Sequence, residues 1–282
     1  FFYSLIYGGG FVIIYMLHLT IATKQPAMTA QTIAGYLGEA ERGKQEELER
    51  LVDLISSVTR SQIAAIVGNV AIALPTAILI AIVWQYFSGV PMIELGKGAH
   101  LLDDLNIVGW ALPHAAIAGV FLFFSGIISG YFDNLSSYAR IGDRVAHLRW
   151  LKALTGKAAA VRIGSYVDAH LGGISGNFLF GCMLGSAHIF GIILGLPIDI
   201  RHIAFSSANL GYALTAFGFD LPLATVAWAG LGVLLIGFVN LSVSFSLALW
   251  MALRARDVAF TQTRGLLRAL WKRLKESPRS FI

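Results

Sequence analysis

The chain has 282 residues, of which 56% are hydrophobic and only 13% charged, with a formal net charge of +5. An ordinary soluble domain carries roughly 25% charged residues, so a chain with a mean hydropathy of +0.71 is excluded from that class and predicted to use a bilayer as solvent for much of its length. The single cysteine, Cys182, excludes a disulfide framework or a cysteine zinc site within one chain.

A helix needs about 20 apolar residues to cross roughly 30 Å of hydrocarbon. Five stretches meet that length: residues 1–22, 63–87, 107–131, 177–196 and 221–253. The first lacks a basic n-region and a small-residue cleavage site, so it does not read as a signal peptide. Between the first two spans, Leu48, Leu51, Leu54, Ile55 and Val58 recur at helical spacing. That predicts a cytoplasmic helix within residues 28–62 that runs straight into the second span. After the third span, Leu135, Tyr138, Ile141, Val145, Leu148 and Leu151 repeat the pattern. They predict a second cytoplasmic helix over residues 133–155, within a helical connection reaching residue 170. The two helices are expected to pack together as a hairpin or bundle.

The fourth span carries Gly181, Gly185, Gly191 and Gly195, and the third carries Gly126 and Gly130. Each pair is four residues apart, a spacing that lets helix backbones approach closely. Span four is therefore expected to be central, with His188 facing protein. Pro197 ends it, because the residue before a proline avoids the helical region. The following stretch, "IDIRHIAFSSANLGYALTAFG", is too apolar for an open loop. It predicts a broken or re-entrant segment on the outer face. Such backbone is tolerated at membrane depth only under protein cover or beside a wet cavity. Its polar groups Asp199, Arg201, His202 and Asn209, with His188, form the candidate binding or structural cluster. His100, Asp103 and Asp104 of the other outer loop lie near enough in topology to join it. Capping and salt bridging by these aspartates is the preferred reading over metal binding.

His18, His114 and His188 are predicted at different depths, which argues against a three-histidine metal site. Neutral imidazoles hydrogen-bonded to backbone or a neighbouring helix are preferred to a proton relay or substrate site. Asn69 and Asn240 sit inside spans two and five.

Lysine and arginine number five in residues 23–62, one in 88–106, six in 132–175, one in 197–220 and eight in 254–282. This alternation predicts that residues 23–62, 132–175 and the C-terminus are cytoplasmic, in a multi-pass protein of the bacterial inner membrane. It places Phe1 outside. An upstream region of the same protein ending in another crossing accounts for that; a short exposed N-terminus is the alternative. In the tail, residues 254–282, Arg264, Arg268 and Lys272 recur every fourth residue, opposite Leu266, Leu267, Leu270, Trp271 and Leu274. A basic amphipathic helix after a last span reads as an interfacial helix on anionic lipid. Nucleic-acid binding by the same basic face is the weaker reading.

Residues 17–30 ("LHLTIATKQPAMTA"), 129–141 ("SGYFDNLSSYARI") with its continuation to Val145, and 176–214 resemble a bacterial membrane family labelled gonococcal-type site-specific recombinase. The resemblance runs through the chain and is to that family's membrane-embedded C-terminal part. The label implies DNA recombination. Tyr138, Arg140, Arg144, His147 and Arg149 supply the residue types of a tyrosine recombinase. One helix would spread them along its side rather than gather them round a phosphate, so no catalytic residue is carried over.

The expected fold is an all-α integral membrane bundle of about five spans. The expected function is a non-enzymatic membrane scaffold or partner-binding subunit, with a protein partner or second copy possible. The alternative is a transporter or lipid-handling protein with its site at the span-four break. No motif calls for a cofactor or metal. In sealed vesicles, Lys97 and Lys152 should react with an impermeant amine reagent from opposite sides.

Overall fold

The computed structural model describes residues 2–17, 25–40, 45–257 and 263–281. Among them every regular element is helical, with no strand. The elements are α1 (Phe2–Met16), α2 (Gln25–Ala40), α3 (Gln45–Ser88), α4 (Leu95–Asp103), α5 (Ala111–Ala139), α6 (Ile141–Ala146), α7 (Arg149–Thr155), α8 (Lys157–Leu194), α9 (Ile203–Ala216), α10 (Leu223–Ala255) and α11 (Thr263–Glu276), closed by a short 3-10 turn over Pro278–Ser280.

Four helices, α3, α5, α8 and α10, are long and apolar enough to cross a membrane, and α1 is a shorter apolar helix of 15 residues. The chain is thus a helical membrane protein. Residues 18–22 of the first expected span, and His18 with them, lie outside the described residues.

Span two is continuous with the helix before it, as expected, in a single helix of 44 residues. The connections otherwise differ from the sequence reading in three ways. Span four is also continuous with the helix before it, over 38 residues. The helix expected over 133–155 is instead three pieces. α5 runs on to Ala139, Arg140 turns left-handed at φ 49°, and α6 and α7 follow. The break lets α6 fold back on α8, where Gly142 sits so close to Gly164 that a Cβ at 142 would stand 2.7 Å from the Gly164 carbonyl. Finally, the early helix pairs with α2 and α11, while α6 and α7 pair with α8. The expected cytoplasmic hairpin between them is replaced by two separate packings.

α8 is the hub of one half, packed against α1, α5 and α6. Gly181 meets the backbone of Tyr7 and Gly8, and a Cβ at 185 would stand 2.6 Å from Ser4 N. These two glycines therefore form the α1–α8 seam. Gly126 is buried, but Gly130 is exposed with open space where a side chain would be, so the Gly126/Gly130 pair is no seam. Gly191 and Gly195 join no helix seam: Gly191 is buried against the break, where a Cβ would stand 2.6 Å from the Ile198 carbonyl, and a Cβ at Gly195 would meet nothing within 4 Å. Gly195 adopts φ 64° as the helix C-cap, and Leu196 N–H donates to the Gly191 carbonyl at 2.9 Å. The pair ends the helix, as left-handed glycine caps do. On the α5 side, Gly176 and Gly172 meet Ser129, and Ser125 Oγ donates to the Gly176 carbonyl at 2.9 Å.

The other half is built round α9, which packs on α3, α4 and α10. Gly211 of α9 lies against the Leu74 carbonyl, one residue before Pro75 inside α3. Leu105, Ile203, Leu210, Val233 and Ile236 form the core there. α10 belongs to both halves. Asn240, in its middle, lies beside Ala115 in the second turn of α5, so the first half of α10 projects past the start of α5.

Substituting Gly185→Val should lower the thermal midpoint in detergent and loosen α1, at a cost of roughly 1–3 kcal/mol. Gly130→Ala, with room around it, should be neutral or slightly stabilising. Circular dichroism melts distinguish the two.

Candidate functional site

The polar groups gather where α8 ends. From Leu196 to Arg201 the chain is outside any helix before α9 starts at Ile203. Each exposed backbone group there needs a partner if water is excluded; the side chains of His114 and Asn240, from distant elements, and of Arg201, in the break itself, supply four of them.

His114 of α5 places Nε2 3.0 Å from the Pro197 carbonyl, and its own carbonyl accepts from Arg201 N–H at 3.3 Å. The Trp110 ring stacks on its imidazole with centroids 5.7 Å apart. Asn240 of α10 is buried and donates through Nδ2 to the Arg201 carbonyl at 2.9 Å and the Ala115 carbonyl at 2.8 Å. Its Oδ1 accepts from Ile203 N–H at 3.0 Å. One amide thus ties α5, the break and α9 together.

Arg201 is the third. Its NH2 donates to Asp104 Oδ1 and its NH1 to Asp199 Oδ2, both at 2.6 Å. NH1 and Nε also reach the Ile200 and Asp104 carbonyls at 2.8 and 3.2 Å. The side chains of Arg201 and Asp104 are only 13% and 19% exposed, and four of the five guanidinium N–H groups are taken by two carboxylates and two carbonyls, leaving little room for a ligand. Burial alone would push the Asp199 carboxyl up. The Arg201 hydrogen bond and charge, with the Ile200 N–H, outweigh burial and hold it below the usual carboxylate value.

His202 points inward. Phe11, Phe180 and Phe205 surround its ring with centroids 5.6, 5.4 and 5.9 Å away. Its Nδ1 accepts from Ala204 N–H at 3.4 Å, which makes it the N-cap of α9. Burial pushes the imidazole down to about 4, so it is neutral at physiological pH.

The structure therefore brings Asp199, Arg201 and His202 into one region and adds Asp104, His114 and Asn240. His188 is not among them. It lies on an exposed face of α8, because the buried faces of that helix are taken by glycines and by Leu184 and Ala187; the expectation that it faces protein is corrected. Asn209 is half-buried further along α9. Ser207 Oγ donates back to the Ile203 carbonyl at 2.7 Å. His100 Nδ1 lies 3.3 Å from Asp104 on the rim. Among the described residues no group of three or more metal-ligating side chains comes together.

At the opposite, basic end a smaller cluster escaped the sequence reading. Tyr15 Oη lies 3.0 Å from His170 Nδ1, the Tyr166 ring is 4.3 Å from that imidazole, and Ser136 Oγ donates to Asp168 at 2.7 Å. Its signal in the sequence is "SYVDAHLGG", four polar or titratable groups just before two glycines. Tyr138, Arg140, Arg144, His147 and Arg149 are all exposed and spread over α5, α6, α7 and their junctions. No side-chain hydrogen bond or ion pair joins them to one another among the described residues.

In the tail, Leu266 is buried with Ile33, Leu37, Leu51 and Val52, and Arg273 NH2 donates to Asp53 of α3 at 2.6 Å. Arg268, Lys272 and Trp271 are exposed; the Arg264 side chain lies outside the described residues.

Between pH 6.5 and 4 the unfolded chain binds a proton at residue 202 that the folded chain refuses. Stability should therefore fall as pH drops through that window, and His202→Asn, which retains a cap acceptor, should flatten the dependence in melts taken across it.

No curated protein and no solved structure matches the chain. A family model described as site-specific recombinase matches residues 1–282. With that match over its whole length, the chain belongs to the site-specific recombinase family.

Proposed function

We propose that this chain is a non-enzymatic scaffold of the bacterial inner membrane, with its basic end and C-terminus in the cytoplasm. One observation carries the reading: the charged groups at the break are spent on the fold. Arg201 meets two carboxylates and two carbonyls, and Asn240 fills three backbone positions. A transport or catalytic site keeps polar groups available for its substrate; these are committed elsewhere. Recombinase chemistry has no support in the exposed, scattered positions of Tyr138, Arg140, Arg144, His147 and Arg149.

The orientation rests on the lysine and arginine alternation between the two ends. A role in holding partners is supported by α11. Its Leu266 edge docks on the bundle, while Leu267, Trp271 and Leu274 remain exposed beside Arg268 and Lys272. That second edge has the composition of a contact with an anionic membrane surface. A second copy or a protein partner would meet the same face of the assembly.

Removing one member of a part-buried ion cluster leaves its partners unpaired, at roughly 3–5 kcal/mol. Arg201→Ala should therefore lower the yield of folded protein and its thermal midpoint. Combining Arg201→Met with Asp104→Asn and Asp199→Asn should restore much of both. The restored variant should migrate in native gels from solubilised membranes as the wild type does. An Arg201→Ala protein that folds with an unchanged midpoint yet loses its cellular role would favour the transporter reading instead.

A further inference from the structure

The helix α3 is the least covered of the four spanning helices: 11% of its apolar window is buried, against 39–44% for the others. Along it runs an open groove of about 550 Å³. Its floor is the α3 ridge through Ala64, Gly68 and Ile72; Phe11 of α1 forms one wall, and Ala208 and Tyr212 of α9 the other. The α3 residues lining it extend from Ser61 to Ile80, a length of roughly 28 Å at 1.5 Å per residue. That matches the ~30 Å hydrocarbon thickness of a bilayer. Beyond Ile80 a second hollow continues past Trp84 and Phe87, aromatic residues of the kind enriched at a membrane interface.

The lining of the groove is mainly alanine, glycine and isoleucine, with Asn69 and Thr76 among its few polar members, a surface that suits a hydrocarbon chain. The charge at its basic end selects the headgroup. Arg60 is exposed and lies one turn before Ala64 on the same ridge. Asp53, two turns earlier, is held by Arg273, and no ion pair engages Arg60 among the described residues. A planar guanidinium at that position matches a phosphate.

We propose that the α1–α3–α9 groove is a phospholipid site, holding an acyl chain along Gly68 with the phosphate of an anionic headgroup at Arg60. The site is independent of the scaffold reading. It also touches the clamp: Ala65 and Asn69 line both the groove and a narrow crevice that reaches His202 and Asn240. Occupancy thus supports the break from behind.

A Cβ at Gly68 meets nothing within 4 Å, so a large side chain there fills the groove without displacing helix backbone. Purified protein would be incubated with vesicles of phosphatidylglycerol and phosphatidylethanolamine, then stripped into mild detergent for native mass spectrometry. The wild type should retain about one phospholipid per chain, with phosphatidylglycerol preferred. Gly68→Phe should lower retention roughly tenfold, and the smaller Gly68→Leu should lower it less, which keeps the test open if the phenylalanine variant misfolds. Arg60→Gln should keep the lipid and lose the preference for phosphatidylglycerol. Equal retention by wild type and both Gly68 variants, or none by the wild type, would overturn the proposal. So would a disulfide-linked dimer formed through Gly68→Cys in a Cys182→Ser background, since a second copy would then fill the groove.

Discussion

A polypeptide that leaves the helix inside an apolar environment must find a partner for each backbone group it frees. Between Leu196 and Ile203 this chain does so with two side chains drawn from far away in sequence and one from the break itself. His114 receives the break on one side, Asn240 on the other, and Arg201 closes it toward Asp104. Nearly everything else at this end is arranged to bring those three together. α10 must project beyond α5 so that Asn240 reaches Ala115, and α4 must end where Asp104 can face Arg201. The closed helix cap at Gly195 turns the chain so that Pro197 lies under His114.

The two halves of the molecule solve the packing problem differently. Where α8 meets α1 and α5, backbone approaches backbone and glycines and serines fill the seam. Close approach recovers dispersion contacts that a bilayer cannot supply as a hydrophobic driving force. Where α3 faces α1, the helices stay apart and a channel-shaped recess remains. The first arrangement gives a rigid unit. The second leaves a flank whose surface is completed by whatever the bilayer provides.

Membrane residence, the long spans and the polar identity of the break were legible in the sequence, because hydropathy and proline placement act locally. The pair Asp199–Arg201 was legible for the same reason, being two residues apart. The clamp itself was not. Asn240 and His114 were visible as costly intramembrane groups, but their partners lie on other elements, and only the register of α10 against α5 joins them. The glycines show the limit most clearly. Gly181/Gly185 and Gly191/Gly195 have the same spacing, yet one pair is a seam and the other a helix end. Gly195 is left-handed because it caps α8, and the neighbours of 181 and 185 are set by where α1 returns. His188 was misplaced for a related reason: periodicity fixes which residues share a face, and tertiary packing decides which face is covered.

α8 extends without interruption through 38 residues, a rod of roughly 57 Å. Its basic end carries the folded-back α6 and α7, and its far end leads directly into the clamp. It is held along that length by α6, α5 and α1, so one uninterrupted helix links the α6–α7 surface to the clamp at the opposite end of the molecule.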